Sequence, residues 1–317
     1  MQLPAIPGGS PIISDQKRSL FFIFGPPRTK KNSFKYPDKH RNTKDLRIAD
    51  RAICVRTMFA AIATHYDRLN RLLSLNLDRS WRRRAAQIAH LQPRDRAADL
   101  CCGTGDLAFA LTKAQPDLEI VVGVDFAQPM LRLAAAKAAQ VGRSARCRRK
   151  GTEGRNVLED ARKPVKTDWL CADAGQLPFG DEQFDCVGCA FGVRNLADIG
   201  EGLREMARVL RPSGRAVILE FFLPATPWFR WLYECYFRLV LPTVGGIMVS
   251  GRGGAYRYLP ESVRMFGTPA EFLKQLQEAG LTTVRVERLL GGAVLAFVAR
   301  KVVDGRAEEQ STGRVVS

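Results

Sequence analysis

The chain is poor in histidine and has no long apolar run. Its 317 residues contain three histidines, His40, His65 and His90, which lie far apart in the sequence. A histidine-based metal site or a Ser-His-Asp triad would therefore be a weak explanation of any activity, and we expect no bound metal. No stretch of about 18 uncharged apolar residues occurs, which argues against a membrane-spanning helix.

Cysteine usage is ordinary, at eight residues, and composition is that of a folded protein, with 46% hydrophobic and 26% charged residues. Cys101, Cys186 and Cys189 lie in apolar, strand-like runs. This favours buried thiols in a reducing compartment over a disulfide framework. Cys186 and Cys189 cannot form a redox or zinc pair, because their spacing in a strand points the side chains to opposite faces.

Acidic residues are scarce: 32 Asp and Glu face 49 Lys and Arg, a net charge of +17. Residues 1–50 and 141–167 lack helical or strand periodicity and hold most of the excess. We predict a disordered basic extension and a flexible basic insertion. Neither has the interleaved aromatic residues that base stacking needs, so nucleic acid is not an expected partner, and anionic lipid headgroups fit the charge better.

The rest of the chain alternates between predicted strands and helices. Apolar residues at three- and four-residue spacing predict helices over 55–90, and from residue 96 strands alternate with helices. Such alternation is typical of one α/β domain, here 51–300, with a mostly parallel sheet covered by helices on both faces. Segment 224–266 departs from the pattern, Thr268–Glu271 is a predicted capping box, and 301–317 is a predicted disordered tail.

Acidic residues stand at the ends of successive predicted strands. Asp99 precedes a turn that contains Gly103 and Gly105, and Asp125 ends the next strand. The glycines allow a backbone to approach a ligand closely, and Asp125 suits both hydroxyls of a ribose. These features fit NAD and S-adenosylmethionine equally.

The third strand end distinguishes the two cofactors. Asp173 and Ala174 follow that strand, where Asp173 suits the adenine amino group, although it could instead cap a helix. A nicotinamide enzyme would need a second nucleotide-binding half, and the chain after 224 shows none. We therefore expect an S-adenosylmethionine-dependent methyltransferase.

The sequence also resembles a known family. Five segments carry the likeness: YDRLNRLLSLNLDRSW (66–81), DLCCGTGD (99–106), AFGVRN (190–195), RVLRPSGRAVILEF (208–221) and YRYLPESVRMF (256–266). They resemble the UbiE-type ubiquinone/menaquinone biosynthesis C-methyltransferases. This resemblance implies a Rossmann-like class I fold with a seven-stranded, mostly parallel sheet and an N-terminal helical lid. It assigns cofactor contacts to Thr104, Asp125, Asp173 and Ala174. Ala190, where the family often has Ser or Thr, and Ser213, where a Gly is usual, depart from the pattern.

The implied reaction is C-methylation of a prenylated quinol ring. The substrate is either demethylmenaquinol or the polyprenyl-methoxy-benzoquinol of the ubiquinone pathway; the alternative is another lipid-like phenol. We expect a cytoplasmic protein held peripherally at the inner membrane, as a homodimer or within a quinone-biosynthesis complex. The aromatic helix near 227–240 suits an interfacial position, although packing on the sheet edge explains it equally well.

Candidate residues for the chemistry follow the fourth strand and the N-terminal helices. Arg194 is the first candidate for stabilising an anionic quinol oxygen, with a salt bridge to a helix carboxylate as its structural alternative. Asn195 is a candidate for orienting that oxygen or capping a helix. Tyr66 and Asp67 are predicted to close over the cofactor or to join two helices. Tyr256 and Arg257 are predicted to contact the quinol headgroup or, alternatively, to have only a packing role within the protein.

Overall fold

A computed structural model describes residues 48–150, 165–236, 254–302 and 315–316, with side chains over 53–141, 165–236 and 258–302. Two N-terminal helices, α1 (Ile48–Leu73) and α2 (Leu77–Ile88), confirm the helices predicted over 55–90. The turn between them places Leu75 and Asn76 at positive φ, which reverses the chain in three residues.

Seven strands form the predicted mostly parallel sheet, in the order β3-β2-β1-β4-β5-β7-β6. Pairing is parallel from β3 to β5 and antiparallel at β7 and β6. The strands are β1 (Arg96–Leu100), β2 (Ile120–Asp125), β3 (Lys166–Cys171), β4 (Phe184–Ala190), β5 (Leu210–Phe221), β6 (Leu281–Leu289) and β7 (Val294–Lys301). The carboxyl ends of the five parallel strands meet at one edge, where ligands bind in such sheets.

An eighth strand, β8 (Val315–Val316), pairs in parallel with Val286 and Glu287 of β6. The prediction of a wholly disordered 301–317 tail was therefore wrong at these two residues. Both are β-branched valines, which fit the open edge that β6 presents.

Six further helices lie within the described residues: α3 (Asp106–Ala114), α4 (Gln128–Lys150), α5 (Ile199–Val209), α6 (Pro227–Cys235), α7 (Gly254–Phe266) and α8 (Pro269–Glu278). Alternate residues of the central strands enter two separate cores, as the two-residue period of a strand requires. Cys189 lies in one core and Cys186 in the other, which confirms their opposite orientations. The predicted capping box opens α8, with Thr268 and Glu271 bonded reciprocally.

Helix α4 extends to Lys150, ten residues into the segment predicted to be a structureless insertion. The prediction was wrong there because charge was weighed above helix propensity. Alanine, arginine and lysine are good helix formers, and residues 143–150 contain neither glycine nor proline. Strand β3 then begins at Lys166, inside the predicted end of that insertion.

Residues 211–214 interrupt the pairing of β5 with β4, whose register shifts between Phe184 and Cys186. Helix α5 ends at Val209, before the sequence Pro212-Ser213-Gly214. Ser213 lies in the left-handed region at φ 63°. A glycine adopts that conformation without strain, so the glycine that is usual in the family suits this position better than Ser213 does.

Candidate cofactor site

The predicted glycine loop connects β1 to α3. Gly103 and Gly105 adopt positive φ values of 55° and 83°, which confirms that the loop needs glycine conformations. At Gly105 the need is also steric, because a Cβ would lie 2.5 Å from the Trp169 ring of β3. Trp169 covers Gly123 of β2 in the same way and is its partner in the β2–β3 register.

Asp99 lies at the end of β1 with only 1% of its surface exposed. Its Oδ2 accepts the Ala108 amide hydrogen at 2.9 Å and so caps the first turn of α3. Its Oδ1 is buried without a hydrogen-bond partner among the described atoms. Burial raises the pKa of Asp99 to about 8. A buried, unsatisfied carboxylate oxygen beside a loop is a site for a cationic ligand group.

Asp125 is the acidic residue at the end of β2, and both of its oxygens bind backbone. Oδ2 accepts from the Gly103 amide and Oδ1 from the Ala127 amide, each at 2.8 Å. Burial raises the pKa of Asp125. The carboxylate therefore fixes the glycine loop, and its remaining lone pairs can accept ribose hydroxyls.

Asp173 follows β3 and is exposed, while Ala174 is buried. Asp173 Oδ1 accepts from the Gly175 amide at 2.8 Å, so the residue caps a turn and not a helix. Arg208 of α5 donates to the carbonyl groups of Leu177 and Phe179 and holds the following loop in place. This loop borders the same sheet edge as Asp125, as the sequence predicted for the adenine side.

The Thr104 hydroxyl is engaged within the protein. It donates to Asp67 Oδ1 at 2.6 Å and accepts from Lys137 Nζ at 2.9 Å. Lys137 of α4 also pairs with Asp67 and Asp106. The network fastens α1 over the glycine loop, where Tyr66 lies 3.8 Å from the position of a Gly103 Cβ. Asp67 thus joins two helices, α1 and α4, as the structural alternative predicted, while the lid formed by Tyr66 and Asp67 stays a prediction.

A pocket at the loop is lined by residues of α1, α2, β1, α3 and β4. The lining comprises Tyr66, Arg82, Asp99, Cys101, Cys102, Gly103, Thr104, Asp106, Leu107 and Ala190. Four predicted residues, Tyr66, Asp99, Gly103 and Thr104, thus meet at one pocket. Ala190 faces it as well, so the departure from Ser or Thr removes a hydroxyl from the lining.

Arg82 is a pocket residue that the sequence analysis missed. It is 7% exposed, pairs with Asp78 at 2.8 Å, and lies over the Phe191 ring at 5.2 Å from the centroid. Arg82 is the first of three consecutive arginines, Arg82-Arg83-Arg84. The stripe Asp78, Trp81, Arg82 and Ala85 at helical spacing was the signal that Arg82 turns inward.

Arg194 lies in a 3-10 turn after β4 and forms a buried salt bridge to β5. Its Nη1 is 2.5 Å from Glu220 Oε1, and the two side chains are 6% and 0% exposed. The Phe191 carbonyl and the Ser262 hydroxyl accept from the same guanidinium. The geometry therefore shows the salt-bridge alternative for Arg194, with a strand carboxylate as its partner in place of the expected helix carboxylate.

Asn195 contacts both the turn and α7. Its Nδ2 donates to the Phe191 carbonyl at 3.2 Å, and its Oδ1 accepts from the Tyr258 hydroxyl at 3.0 Å. Tyr256 and Arg257 belong to α7, but their side chains lie outside the described residues. Tyr258, one residue further on, is the aromatic group that the structure brings to Asn195, and sequence reasoning missed it.

Comparison with known proteins agrees with this arrangement. The sequence model of the ubiE/COQ5 methyltransferase family matches residues 43–301. The chain belongs to this family. It is 45% identical over 241 residues to the demethylmenaquinone methyltransferase of Thermus thermophilus, covering 76% of this chain and 98% of that protein. It is 38% identical to the ubiquinone/menaquinone biosynthesis C-methyltransferase UbiE of Geobacter sulfurreducens, covering 76% and 86%.

A solved structure shares the fold alone. A chain of the complex between the Haloferax volcanii Trm112 methyltransferase activator and a methyltransferase superposes with a TM-score of 0.50 at 17% identity, covering 76% of this chain and 96% of that one. Family and fold together make the protein an S-adenosylmethionine-dependent methyltransferase. Within the described residues, no helix is long and apolar enough to cross a membrane.

Proposed function

We propose that the protein methylates a ring carbon of a prenylated quinol, with demethylmenaquinol as the substrate. The observation that supports the choice of quinol is the 45% identity to a demethylmenaquinone methyltransferase across 98% of its length. The ubiquinone-pathway benzoquinol is the second candidate, because the UbiE relative carries both pathways in its name.

The pocket residues fit the zwitterionic end of the cofactor. A guanidinium, on Arg82, and a carboxyl group, on Asp99, line one pocket, and Asp99 Oδ1 has no partner among the described atoms. We assign the cofactor carboxylate to Arg82 and its ammonium to Asp99, while Asp125 accepts from the ribose hydroxyls and Asp173 from the adenine amine. Charge-assisted hydrogen bonds of this kind are worth about 1.5–3 kcal/mol each.

When bound, S-adenosylmethionine would supply an electrophilic methyl group in exchange for the proton of the quinol ring carbon. The protein must hold the ring in line with that methyl group, and orientation of this kind can supply roughly 7–11 kcal/mol of the barrier. Asp67, which is bound to Thr104 and Lys137, would hold α1 and its Tyr66 beside the glycine loop.

Arg194 and Asn195 are proposed to act on the quinol oxygen. An anionic oxygen makes the adjacent ring carbon nucleophilic, and the guanidinium of Arg194 favours that anion. Glu220 offsets part of its charge, so directed N–H groups carry the stabilisation more than net charge does. Tyr258 holds the Asn195 amide in a fixed orientation. Tyr256 and Arg257 remain proposed contacts of the headgroup.

A peripheral position at the inner membrane, facing the cytoplasm, is part of the proposal, since a prenylated quinol resides in the bilayer. Assembly as a homodimer or with other quinone-biosynthesis proteins is also compatible with it.

The quinone content of a strain that lacks the gene tests the substrate. Accumulation of demethylmenaquinone, reversed by the wild-type gene and not by an Asp125→Asn variant, is the expected result. A demethylated benzoquinone precursor in its place would establish the second candidate. An unchanged quinone profile would refute both and would favour another lipid-like phenol.

A further inference from the structure

An apolar surface is left exposed where α1, α6 and the 3-10 turn before β7 meet. Trp228 and Trp231 are 70% and 68% exposed, and Leu75 is 76% exposed. Tryptophan is among the residues that folded chains bury most extensively, so two exposed neighbours need a reason. The surface, called the Trp228 surface below, comprises Leu72, Leu75, Leu77, Trp228, Trp231, Leu232 and Leu290.

Helical spacing and packing make this one continuous surface. Trp228, Trp231 and Leu232 follow at i, i+3 and i+4 on one side of α6, as neighbours on a helix do. The opposite side carries Phe229 and Tyr233, which pack in a cluster with Leu69, Leu73, Tyr236 and Ala293.

Two further contacts join the neighbouring elements to α6. The Tyr236 hydroxyl donates to the Leu73 carbonyl at 2.6 Å, which fixes the chain just beyond α6 against the end of α1. The Phe229 ring lies against Gly291, next to Leu290. The exposed side chains of the three elements therefore adjoin a shared core.

Exposed charge around the surface is basic. Arginines are exposed on α1, α2, α6 and β6, namely Arg68, Arg79, Arg230 and Arg288. Each carboxylate among the described side chains of these elements is in an ion pair, namely Asp67, Asp78, Glu234 and Glu287. An anionic partner that binds the Trp228 surface would therefore contact tryptophan at its centre and arginine at its edge.

We propose that the Trp228 surface docks onto the headgroup region of an anionic lipid bilayer. Tryptophan is suited to the boundary between headgroups and acyl chains, because its ring is apolar while its N–H remains hydrated. Arginine side chains near a negatively charged leaflet add electrostatic attraction. The combination of an apolar helix face and flanking basic residues is the physical pattern of interfacial binding.

The surface also adjoins the pocket. Helix α1 carries Tyr66 at the pocket and Leu72 on the surface, six residues apart, which is about 9 Å of helix rise. The two side chains point about 120° apart around the helix axis, so a substrate that stays in the bilayer would pass around the end of α1 to reach the pocket. That role depends on the proposed quinol substrate, whereas docking itself can be measured without any substrate.

The test compares sedimentation of the full-length protein with vesicles of phosphatidylcholine alone and with vesicles containing phosphatidylglycerol. The variant is Trp228→Ser/Trp231→Ser, and the matched control is Ile53→Ser/Val141→Ser, which removes two apolar side chains that are 64% and 54% exposed elsewhere. We expect the wild type and the control to bind the anionic vesicles and the tryptophan variant to bind at least about tenfold more weakly.

Tryptophan fluorescence gives a second readout. The chain has four tryptophans, of which Trp81 is 6% exposed and therefore reports little of the surroundings. Anionic vesicles should shift the wild-type emission to shorter wavelength, and this shift should be absent in the tryptophan variant. Equal vesicle binding by both variants, or binding without any shift, would overturn the proposal.

The same variants distinguish a lipid from a second copy of the chain. Self-association of the wild type without vesicle binding, abolished by Trp228→Ser/Trp231→Ser, would overturn docking on lipid and identify an interface between copies. If vesicle binding is found but no quinol is methylated, the proposed substrate fails while the docking surface stands.

Discussion

Lys137 Nζ lies 2.6 Å from Asp67 Oδ2, so an ion pair joins α4 to α1 directly above the glycine loop. The same ammonium contacts Thr104 and Asp106 at 2.9 and 2.8 Å. One cation therefore neutralises two carboxylates from different helices. The position of the lid depends on a residue that touches neither the nucleotide-binding acids nor the quinol candidates.

Replacing Lys137 with methionine tests the attachment of the lid. Methionine keeps the apolar stem of lysine but leaves Asp67 and Asp106 without their cation, which should cost about 1–2 kcal/mol. We expect faster hydrogen exchange in α1 and weaker S-adenosylmethionine binding. Lys113→Met, at an exposed position on α3, is the control and should change neither. Unchanged exchange in α1 would show that the ion pair does not hold the lid.

Asp99 should make cofactor binding depend on pH. With a pKa of about 8, the carboxyl is mostly protonated at pH 7, and a cationic ammonium beside Oδ1 would ionise it. We expect release of most of one proton on binding at pH 7, and an affinity that rises as pH approaches the native pKa of Asp99. Calorimetry in two buffers of different ionisation enthalpy measures the proton number. Asp99→Asn should bring it close to zero.

Asp99 should also make the stability of the protein depend on pH, in the direction opposite to that of cofactor affinity. An unfolded aspartate has a pKa of about 3.9, below the native value of about 8, so the native state binds more protons between these limits. The contribution of Asp99 to the free energy of unfolding therefore falls as pH rises from about 4 to 8. The free energy of unfolding, measured with urea at several pH values in this range, should depend less on pH for Asp99→Asn than for the wild type. An equal dependence on pH in the two proteins would contradict the assignment.

Arg82 should determine recognition of the cofactor carboxylate. We expect the wild type to bind S-adenosylhomocysteine at least about tenfold more tightly than its decarboxylated analogue, from a charge-assisted hydrogen bond worth about 1.5–3 kcal/mol. Arg82→Gln should lose this preference, while Arg79→Gln, at an exposed position on the same helix, should keep it. The measured quantity is the ratio of the affinities for the two ligands. Loss of the ion pair between Arg82 and Asp78 would weaken both affinities alike and would leave that ratio unchanged.

A pair of variants separates the chemistry of Arg194 from its salt bridge. Arg194→Gln leaves the fully buried Glu220 without a cation, so the free energy of unfolding should fall by about 3–5 kcal/mol. Arg194→Gln combined with Glu220→Gln removes both charges and should recover most of that loss. A low kcat that persists in the double variant would show that the guanidinium acts on the quinol. Wild-type kcat in the double variant would limit Arg194 to structure.

The sequence predicted the elements well and the contacts between distant residues poorly. Local periodicity and glycine positions sufficed for the strands around Asp99 and Asp125 and for the capping box of α8. The partner of Arg194 was missed because Glu220 lies 26 residues away on another strand, and no local pattern couples the two. Arg82 was missed because an arginine run resembles an exposed face unless its position on the helix is counted.

Ser213→Gly should stabilise the protein. Ser213 has φ 63°, which costs a residue with a Cβ about 1–2 kcal/mol, and part of the gain is lost to the greater freedom of glycine when unfolded. We expect a net gain of about 0.5–1 kcal/mol, measured as a higher melting temperature with unchanged kcat. Ser80→Gly, within α2, is the contrasting variant and should destabilise.

Trp169 has a further consequence, because it stands on the outermost strand of the parallel half and yet covers both Gly105 and Gly123. Adjacent residues of a strand point to opposite faces, so sliding β3 by one position would carry the indole to the other side of the sheet. The glycine loop would then lose its cover without any change in its own sequence. The conformation of the glycine loop therefore depends on the number of residues between Lys166, where β3 begins, and Trp169, three residues later. A single residue inserted or deleted there would move the indole away from the loop.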